Sequence, residues 1–144
     1  MPSETGTIER EIFIDAPPQA VFRYLVEPQL MARWIGLCHE LEPKVGGRFV
    51  VEVSRGNVAR GLYTEVAPPR RVAFTWGWES QDGSLALLPA GTSLVEVELE
   101  PREGGTLLRL RHSRLPADFV QRHGERWSFY LAQLQIGAAA QAID

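Results

Sequence analysis

The fold depends on the stretch GERWSFYLAQL at residues 124–134. Large apolar side chains recur in it at intervals of three and four residues: Trp127, Tyr130, Leu131 and Leu134. This rhythm predicts a helix with one apolar face. Because the rhythm extends in both directions, we expect the helix to run from about residue 117 to residue 142. The apolar face needs a partner surface elsewhere in the chain, where it either completes a core or covers a pocket.

Most of the remaining chain alternates between apolar and polar residues, as strands do. The expected strands lie in residues 7–15, 44–53, 58–66, 71–78, 93–100 and 106–112, and the second of these begins with a Gly-Gly turn. Between the first two, APPQAVFRYLV at residues 16–26 is typical of a short helix with proline in its first turn. This order favours an antiparallel sheet that curls around the long helix. We therefore expect an α+β fold in a single domain spanning residues 1–144.

The last two strands are separated by PREGG, which predicts a hairpin. Val97, Leu110 and His112 lie on the apolar parities of these strands. The opposite parities carry alternating acidic and basic residues, namely Glu96, Glu98 and Glu100 on one strand and Arg109 and Arg111 on the other. Opposite charges across a hairpin stabilise it by about 0.2–1 kcal/mol per pair. The charged side is expected to be a solvated outer face.

Composition excludes several classes of function. The net charge of −3 gives no electrostatic basis for binding nucleic acid. No apolar run approaches the ~20 residues that a membrane-spanning helix needs, and the start MPSETGTIER does not resemble a signal peptide. The single cysteine, Cys38, cannot form an internal disulfide. A cytoplasmic location is expected from this cysteine usage.

No catalytic or cofactor motif stands out. The three histidines, His39, His112 and His123, are too far apart in sequence for a short metal-binding motif. The glycines match no phosphate-binding loop, so neither a metal nor a cofactor is expected. Cys38 is interpreted as a small, partly buried apolar residue. His112 has two open interpretations, a hydrogen-bonded interior residue or a polar group that faces a ligand.

Scattered polar strand residues offer no defined catalytic pair. Glu52, Tyr63, Glu96 and Arg109 could supply an acid and a base only if the fold brought them together. Sequence patterns do not show such convergence. The catalytic residues, and whether the protein is an enzyme, are therefore left open.

The order of elements resembles that of the START-like (SRPBCC) superfamily, and in particular the subgroup named after the heat-shock-protein-90 ATPase activator homologue. Six segments carry the likeness: IDAPPQAVFRYLVEP, RWIG, PKVGGRFVVEV, RGLYTEVAPPRRVAFTWGW, TSLVEVELEPREGGTLLRLRHSRLP and HGERWSFYLAQL. The resemblance implies a helix-grip fold, in which a curved sheet wraps the C-terminal helix and leaves a cavity between them. It also implies a range of activities, from lipid carriage to polyketide cyclisation. The chain has no room for the separate N-terminal domain with which the activator grips its chaperone, so a chaperone partner is not favoured.

Aromatic residues are the strongest functional signal, because binding cavities usually have apolar walls with a few polar groups. A small hydrophobic or aromatic molecule is therefore the expected partner, held between the sheet and the helix. The expected ligand-binding residues are Trp34, Phe49, Tyr63, Phe74, Trp76, Trp78, Val97, Leu110, His112, Trp127, Tyr130, Leu131 and Leu134. A planar ligand is expected beside Trp76, Trp127 and Tyr130, with residues 80–91 as a mobile connection near the cavity mouth.

Two other functions remain open from the sequence. One is a cyclase-, aromatase- or hydrolase-type enzyme that uses the same cavity. The other is a chaperone-related interaction module. The oligomeric state is also open between a monomer and a homodimer.

Overall fold

The computed structural model describes residues 5–80, 88–89 and 91–143. Its elements are β1 (Thr5–Ile14), α1 (Pro18–Val26), α2 (Pro28–Met31), β2 (Leu37–Leu41), β3 (Arg48–Ser54), β4 (Asn57–Ala67), β5 (Arg71–Trp76), β6 (Trp78–Ser80), β7 (Ser93–Arg102), β8 (Gly105–Pro116) and α3 (Ala117–Ile143). The long C-terminal helix is confirmed within a residue of its expected end. The connection expected over residues 80–91 lies mostly outside the described residues, so its mobility stays a prediction.

The strands form one antiparallel sheet in the order β1-β8-β7-β5-β4-β3-β2, with β6 paired to β4 off this path. The sheet curves around α3, and the α+β helix-grip fold predicted from the sequence is confirmed. Within the described residues, most of the largest buried side chains come from the inner sheet face, from α3 and from α1, and Met31 of α2 and Leu88 join them. None of the helices described there is long and apolar enough to cross a membrane.

The stretch at 71–78 was expected to be one strand, and this is wrong in one respect. The strand breaks at Gly77 into β5 and β6. β5 pairs with both β4 and β7, whereas β6 pairs with β4. Gly77 lies outside β5, but its carbonyl oxygen accepts a hydrogen bond from Arg60 N at 3.0 Å. The break does not change which side chains face inward, because Trp76 and Trp78 are both buried.

The expected hairpin is formed by β7 and β8, in a register that places Val97 opposite Leu110 and Glu98 opposite Arg109. Its charged side is the outer sheet face, as predicted. Some ion pairs of this face join residues that lie opposite each other, as Arg109 does to Glu11 and Arg71 to Glu98, whereas others join residues that do not. Arg109 reaches Glu11 on β1 and Glu100 on β7, while Arg71 on β5 pairs with Glu96 and Glu98. Arginine side chains are long enough to bridge adjacent strands, so residue register alone does not decide which carboxylate they bind.

The strand β1 carries Arg10 on the same parity as Ile8 and Ile12. β1 is a terminal strand of the sheet. Arg10 Nε donates to Ser128 Oγ on α3 at 2.9 Å. A Cβ atom on Gly124 would lie 2.7 Å from Arg10 Nη2. The glycine in the helix therefore gives the guanidinium room to lie between β1 and α3.

Candidate functional site

The inner face of the sheet carries a continuous cluster of aromatic rings. Phe49 on β3 stacks on Phe74 of β5 with ring centroids 4.1 Å apart and planes at 12°. Tyr63 on β4 meets Phe74 edge-on at 6.0 Å, and Trp76 lies 6.3 Å from Phe74. The alternation of β5 places Phe74 and Trp76 on the same side, which is why neighbouring rings touch. This cluster forms the sheet side of the candidate site.

Trp127 closes the cluster from the helix. Its ring centroid lies 5.4 Å from that of Trp76, 6.5 Å from Trp34 and 5.9 Å from Tyr130. The side chain is only 2 % exposed. The apolar face of α3 therefore completes the core at this point. Whether the same face also covers a ligand depends on the polar groups around it.

A chain of hydrogen bonds links Trp127 to the sheet. The indole Nε1 donates to His112 Nδ1 at 2.9 Å. Because an indole nitrogen is only a donor, Nδ1 must accept and the His112 proton must lie on Nε2. Nε2 then donates to Ser93 Oγ at 2.8 Å, and Ser93 Oγ donates to Trp76 O at 2.6 Å. His112 is thus an interior histidine with both ring nitrogens bonded.

A second tryptophan–histidine pair has the opposite tautomer. Trp78 Nε1 donates to His123 Nε2 at 2.9 Å, and His123 Nδ1 donates to Phe119 O at 3.0 Å. The two imidazole centroids lie 5.7 Å apart. The two pairs connect β6 and β8 with α3. They fix the orientation of the Trp78 and Trp127 indoles between the sheet and the helix.

Both histidines are neutral at physiological pH. Burial, with a smaller contribution from His123, lowers the pKa of His112 to about 3. Burial also lowers the pKa of His123 to about 4, where Arg126 and Arg122 act in the same direction and the bond to Phe119 opposes them. A buried charge without a counterion is costly, so the neutral form prevails. Neither ring is charged where it meets the cluster.

The indole N–H of Trp76 differs from those of the other three tryptophans in its hydrogen bonding. Trp34 Nε1 donates to Tyr24 O at 2.9 Å, and the nitrogens of Trp78 and Trp127 have the histidine partners described above. Trp76 Nε1 is buried, yet it has no hydrogen-bond partner among the described residues. The side chain is 1 % exposed. A buried donor without an acceptor costs about 1–3 kcal/mol, so this N–H is a strong candidate for contact with a polar guest atom.

A groove opens on the flank of this cluster, between the first half of α3 and the end of β3. Its volume is about 510 Å³. The residues that line it include Ser54, Arg122, Glu125, Arg126, Phe129 and Tyr130. Tyr130 belongs both to the groove and to the interior cluster, because its ring meets Trp127 edge-on. Tyr130 is therefore the residue through which the groove adjoins Trp127.

The structure brings the expected ligand-binding residues together. All of them are buried except Tyr130, which is half-buried. The scattered polar residues do not converge. Glu52 contacts exposed His39, whereas Glu96 and Arg109 lie on the outer sheet face. Tyr63 is interior and donates to Leu25 O at 3.2 Å.

Three residues that contribute to the site were not predicted from the sequence. Ser93 shares the parity of Val95 and Val97, and that signal could have placed it on the inner face. His123 lies on the apolar stripe of α3 but was not counted as a site residue. Arg126 had no sequence signal, because its position 5.7 Å over the Trp78 ring depends on the fold.

In the part of the chain that the structure describes, no group of three or more metal-ligating side chains could hold an ion.

The family model for the Activator of Hsp90 ATPase homolog 1-like proteins matches residues 15–137. The chain belongs to this family. Among solved structures, an AHSA1-like protein from Rhizobium etli is 42% identical, with 94% of this chain and 83% of that chain covered and a TM-score of 0.72. Protein MLL2253 from Mesorhizobium loti is 27% identical over 91% and 95% of the two chains, with a TM-score of 0.77.

The Aha1 dimer from Colwellia psychrerythraea is 19% identical over 93% of this chain and 96% of that chain, with a TM-score of 0.75. At this identity the likeness shows the AHSA1-like fold alone. No curated protein matches the chain. The comparisons therefore establish family and fold, and the site must be interpreted from its own chemistry.

Proposed function

We propose that this protein binds a small hydrophobic or aromatic molecule between the sheet and α3, beside Trp76, Trp127 and Tyr130. The ligand carries one hydrogen-bond acceptor, such as a carbonyl oxygen. The observation that carries the proposal is the buried Trp76 N–H, which has no acceptor among the described residues. A ligand oxygen at that nitrogen would remove the cost of an unsatisfied buried donor.

The surrounding residues fit an apolar ligand. Rings from both layers meet at Trp76, which contacts Phe49, Phe74, Trp78 and Trp127. Aromatic rings favour stacked or edge-on contact with a planar guest. Since the rings touch in this structure, a guest enters by displacing Tyr130 and the adjoining part of α3. Tyr130 is the half-buried member of the set, so it is the ring most accessible from the surface.

Catalysis in the same site has less support. The buried polar side chains of the described residues are Ser93, Thr106, His112 and His123. Each one is bonded to another protein group. Because these polar groups are already bonded, ligand binding fits the site better than catalysis. Product formation from a bound compound would overturn this choice. The single cysteine, Cys38, fits a cytoplasmic location.

The family description points to an alternative, a chaperone-related interaction module. A chaperone partner that binds equally well after a bulky residue fills the interior would favour this alternative. The relevant measurement is a pull-down with purified Hsp90 homologue, comparing wild type with an interior variant such as Leu134→Trp. Loss of a small-molecule ligand with retained chaperone binding would separate the two functions. The dimer of the Colwellia protein is a property of that protein, and we propose no dimer for this chain.

The direct test uses two naphthalenes that differ in one acceptor. We expect 2-acetylnaphthalene to bind wild type more tightly than 2-ethylnaphthalene, as measured by ligand-observed NMR titration. In Trp76→Phe, which keeps a ring but removes the N–H, this advantage should disappear. A net hydrogen bond of about 0.5–1.5 kcal/mol corresponds to roughly a two- to thirteenfold difference in Kd.

The matched control is Trp34→Phe, because the Trp34 N–H already donates to Tyr24 O. This variant should keep the preference for the acetyl compound. The proposal fails if neither naphthalene binds the wild type. It also fails in its hydrogen-bond part if Trp76→Phe retains the full preference.

A further inference from the structure

The groove beside Tyr130 has basic side chains without acidic partners. Arg122 and Arg126 lie one helical turn apart on α3 and both line the groove. Among the described residues, neither guanidinium has a carboxylate within ion-pair distance, whereas Arg71 and Arg109 each contact at least two. The other charged residue of the groove is Glu125, whose Oε1 accepts from Gln121 Nε2 at 3.5 Å. The groove is thus locally positive in a chain whose net charge is −3.

Apolar surface adjoins these charges. Phe129 is 59 % exposed and lies within the groove. Its ring centroid is 6.0 Å from that of Tyr130, which in turn meets Trp127 at 5.9 Å. The Arg126 guanidinium carbon lies 5.7 Å from the Trp78 ring centroid. Positive charge and exposed rings therefore occur together where the surface meets the interior cluster.

A hydroxyl group completes the polar part of the groove. Ser54 Oγ accepts from Asn57 Nδ2 at 3.0 Å, which leaves its own O–H able to donate. Burial raises the pKa of the Tyr130 hydroxyl, while Arg126 acts in the opposite direction. Tyr130 is therefore a neutral donor at physiological pH. Two guanidinium groups and two hydroxyl donors form a set that suits an anion with several acceptor oxygens.

The geometry points to an aromatic carboxylate as the ligand class, with the carboxylate held in the groove by Arg122 and Arg126. This inference rests on the proposed function, because the aromatic part of the same ligand extends past Tyr130 towards Trp76. Arginine suits this position, since its planar fork can bind both oxygens of a carboxylate. Phe129 covers the apolar part of the ligand that stays outside the interior.

The test compares 6-acetyl-2-naphthoate with its methyl ester, which keeps the shape but removes the charge. Isothermal titration calorimetry should show the carboxylate binding wild type roughly tenfold more tightly than the ester at low ionic strength. Added NaCl should reduce this ratio, because partly exposed charges are screened. Arg122→Gln and Arg126→Gln should each weaken carboxylate binding roughly three- to tenfold without a matching change for the ester.

Two variants serve as controls for charge. Glu125→Gln removes the negative charge of the groove, so it should tighten carboxylate binding. Arg70→Gln removes a positive charge from the exposed turn after β4, outside the groove, and should leave the carboxylate-to-ester ratio unchanged. Circular dichroism melting curves check that each variant is folded.

The outcomes separate this inference from the proposed function. Equal binding of carboxylate and ester to the wild type would overturn the anion site while the interior binding function stands. Arginine-dependent carboxylate binding that is unaffected by Trp76→Phe would support the anion site and overturn the interior contact. If neither compound binds the wild type, both are overturned.

Discussion

Single side chains in the interior have two roles, packing and orientation of neighbours. Trp127 illustrates both, because it fills the space between Trp76 and Trp34 and donates to His112. The hydrogen bond keeps the imidazole in one tautomer, and that tautomer in turn bonds Ser93. A substitution of Trp127 therefore affects the hydrogen bond at Ser93 on β7 as well as the packing of α3.

We expect Trp127→Ala to lower the free energy of unfolding by about 3–5 kcal/mol, since it creates a cavity and leaves His112 Nδ1 without a donor. Urea denaturation followed by circular dichroism measures this loss. The control is Ile136→Ala on the same helix, where the side chain is 66 % exposed and the change should stay within about 0.5 kcal/mol. A loss below about 1 kcal/mol for Trp127→Ala would show that the ring is mainly a pocket wall.

The two interior histidines predict acid sensitivity. The pKa values of His112 and His123 in the folded protein, about 3 and about 4, lie below the ~6.5 of an unfolded histidine. The unfolded state therefore binds more protons between these values, and stability falls as the pH drops below about 6.5. Each histidine should contribute a loss of about 2 kcal/mol between pH 7 and pH 5.

Urea titrations at pH 7, 6 and 5 measure this slope. His123→Gln should remove about half of it, although the variant starts from lower stability because Trp78 loses its acceptor. His39→Gln is the control, since His39 is exposed and lies outside the interior. An unchanged slope in His123→Gln would contradict the assignment of acid sensitivity to this residue.

At the scale of elements, two glycines have opposite structural roles. A Cβ atom on Gly137 of α3 would meet Tyr24 at an ordinary contact distance of 3.7 Å. On Gly61 of β4 it would lie 1.9 Å from Thr75 O, so β4 and β5 approach closely only because Gly61 lacks a side chain. Helix α3 therefore tolerates a methyl group where this part of the sheet does not.

Gly137→Ala should raise the free energy of unfolding by about 0.5–1 kcal/mol, because alanine is favoured over glycine inside a helix. Gly61→Ala should lower it by at least about 2 kcal/mol through overpacking against Thr75. Thermal and urea denaturation of the two variants provide the comparison. If Gly61→Ala were neutral, the close approach of β4 and β5 would be wrong.

At the scale of the whole molecule, α3 and the sheet depend on each other. The buried side chains of the described residues form one cluster with members from α1, α3 and most strands. Neither layer can bury its apolar face alone. The single-domain organisation expected from the sequence therefore predicts one cooperative unfolding transition.

Circular dichroism at 222 nm and tryptophan fluorescence should report coincident urea transitions, with one midpoint. Circular dichroism follows the helices, whereas fluorescence follows Trp34, Trp76, Trp78 and Trp127 in the interior. Helix loss at a lower urea concentration than the fluorescence change would indicate that α3 detaches from an intact sheet. That result would contradict a single cooperative domain.

The local patterns of the sequence determined the element types, their order and the faces that are buried. The rhythm of Trp127, Leu131 and Leu134 specified the buried stripe of α3, and strand alternation placed Phe74, Trp76, Val97 and Leu110 on the inner face. These features could be predicted because they depend on backbone periods of 3.6 and 2 residues, which are visible over a few positions. The resemblance to the family then joined the elements into a helix-grip fold.

Only the tertiary structure decided which polar atoms meet. The pairing of Trp78 with His123, 45 residues later, follows from sheet curvature and from the rotation of α3, neither of which is encoded in a short window. The same applies to the unpaired N–H of Trp76, the break at Gly77 and the clustering of Arg122 and Arg126 beside Tyr130. Hydrogen bonds require donor and acceptor within a few tenths of an ångström, whereas burial of an apolar face tolerates much larger shifts. The sequence therefore determined the layers of this protein, and their packing decided the chemistry of the site between them.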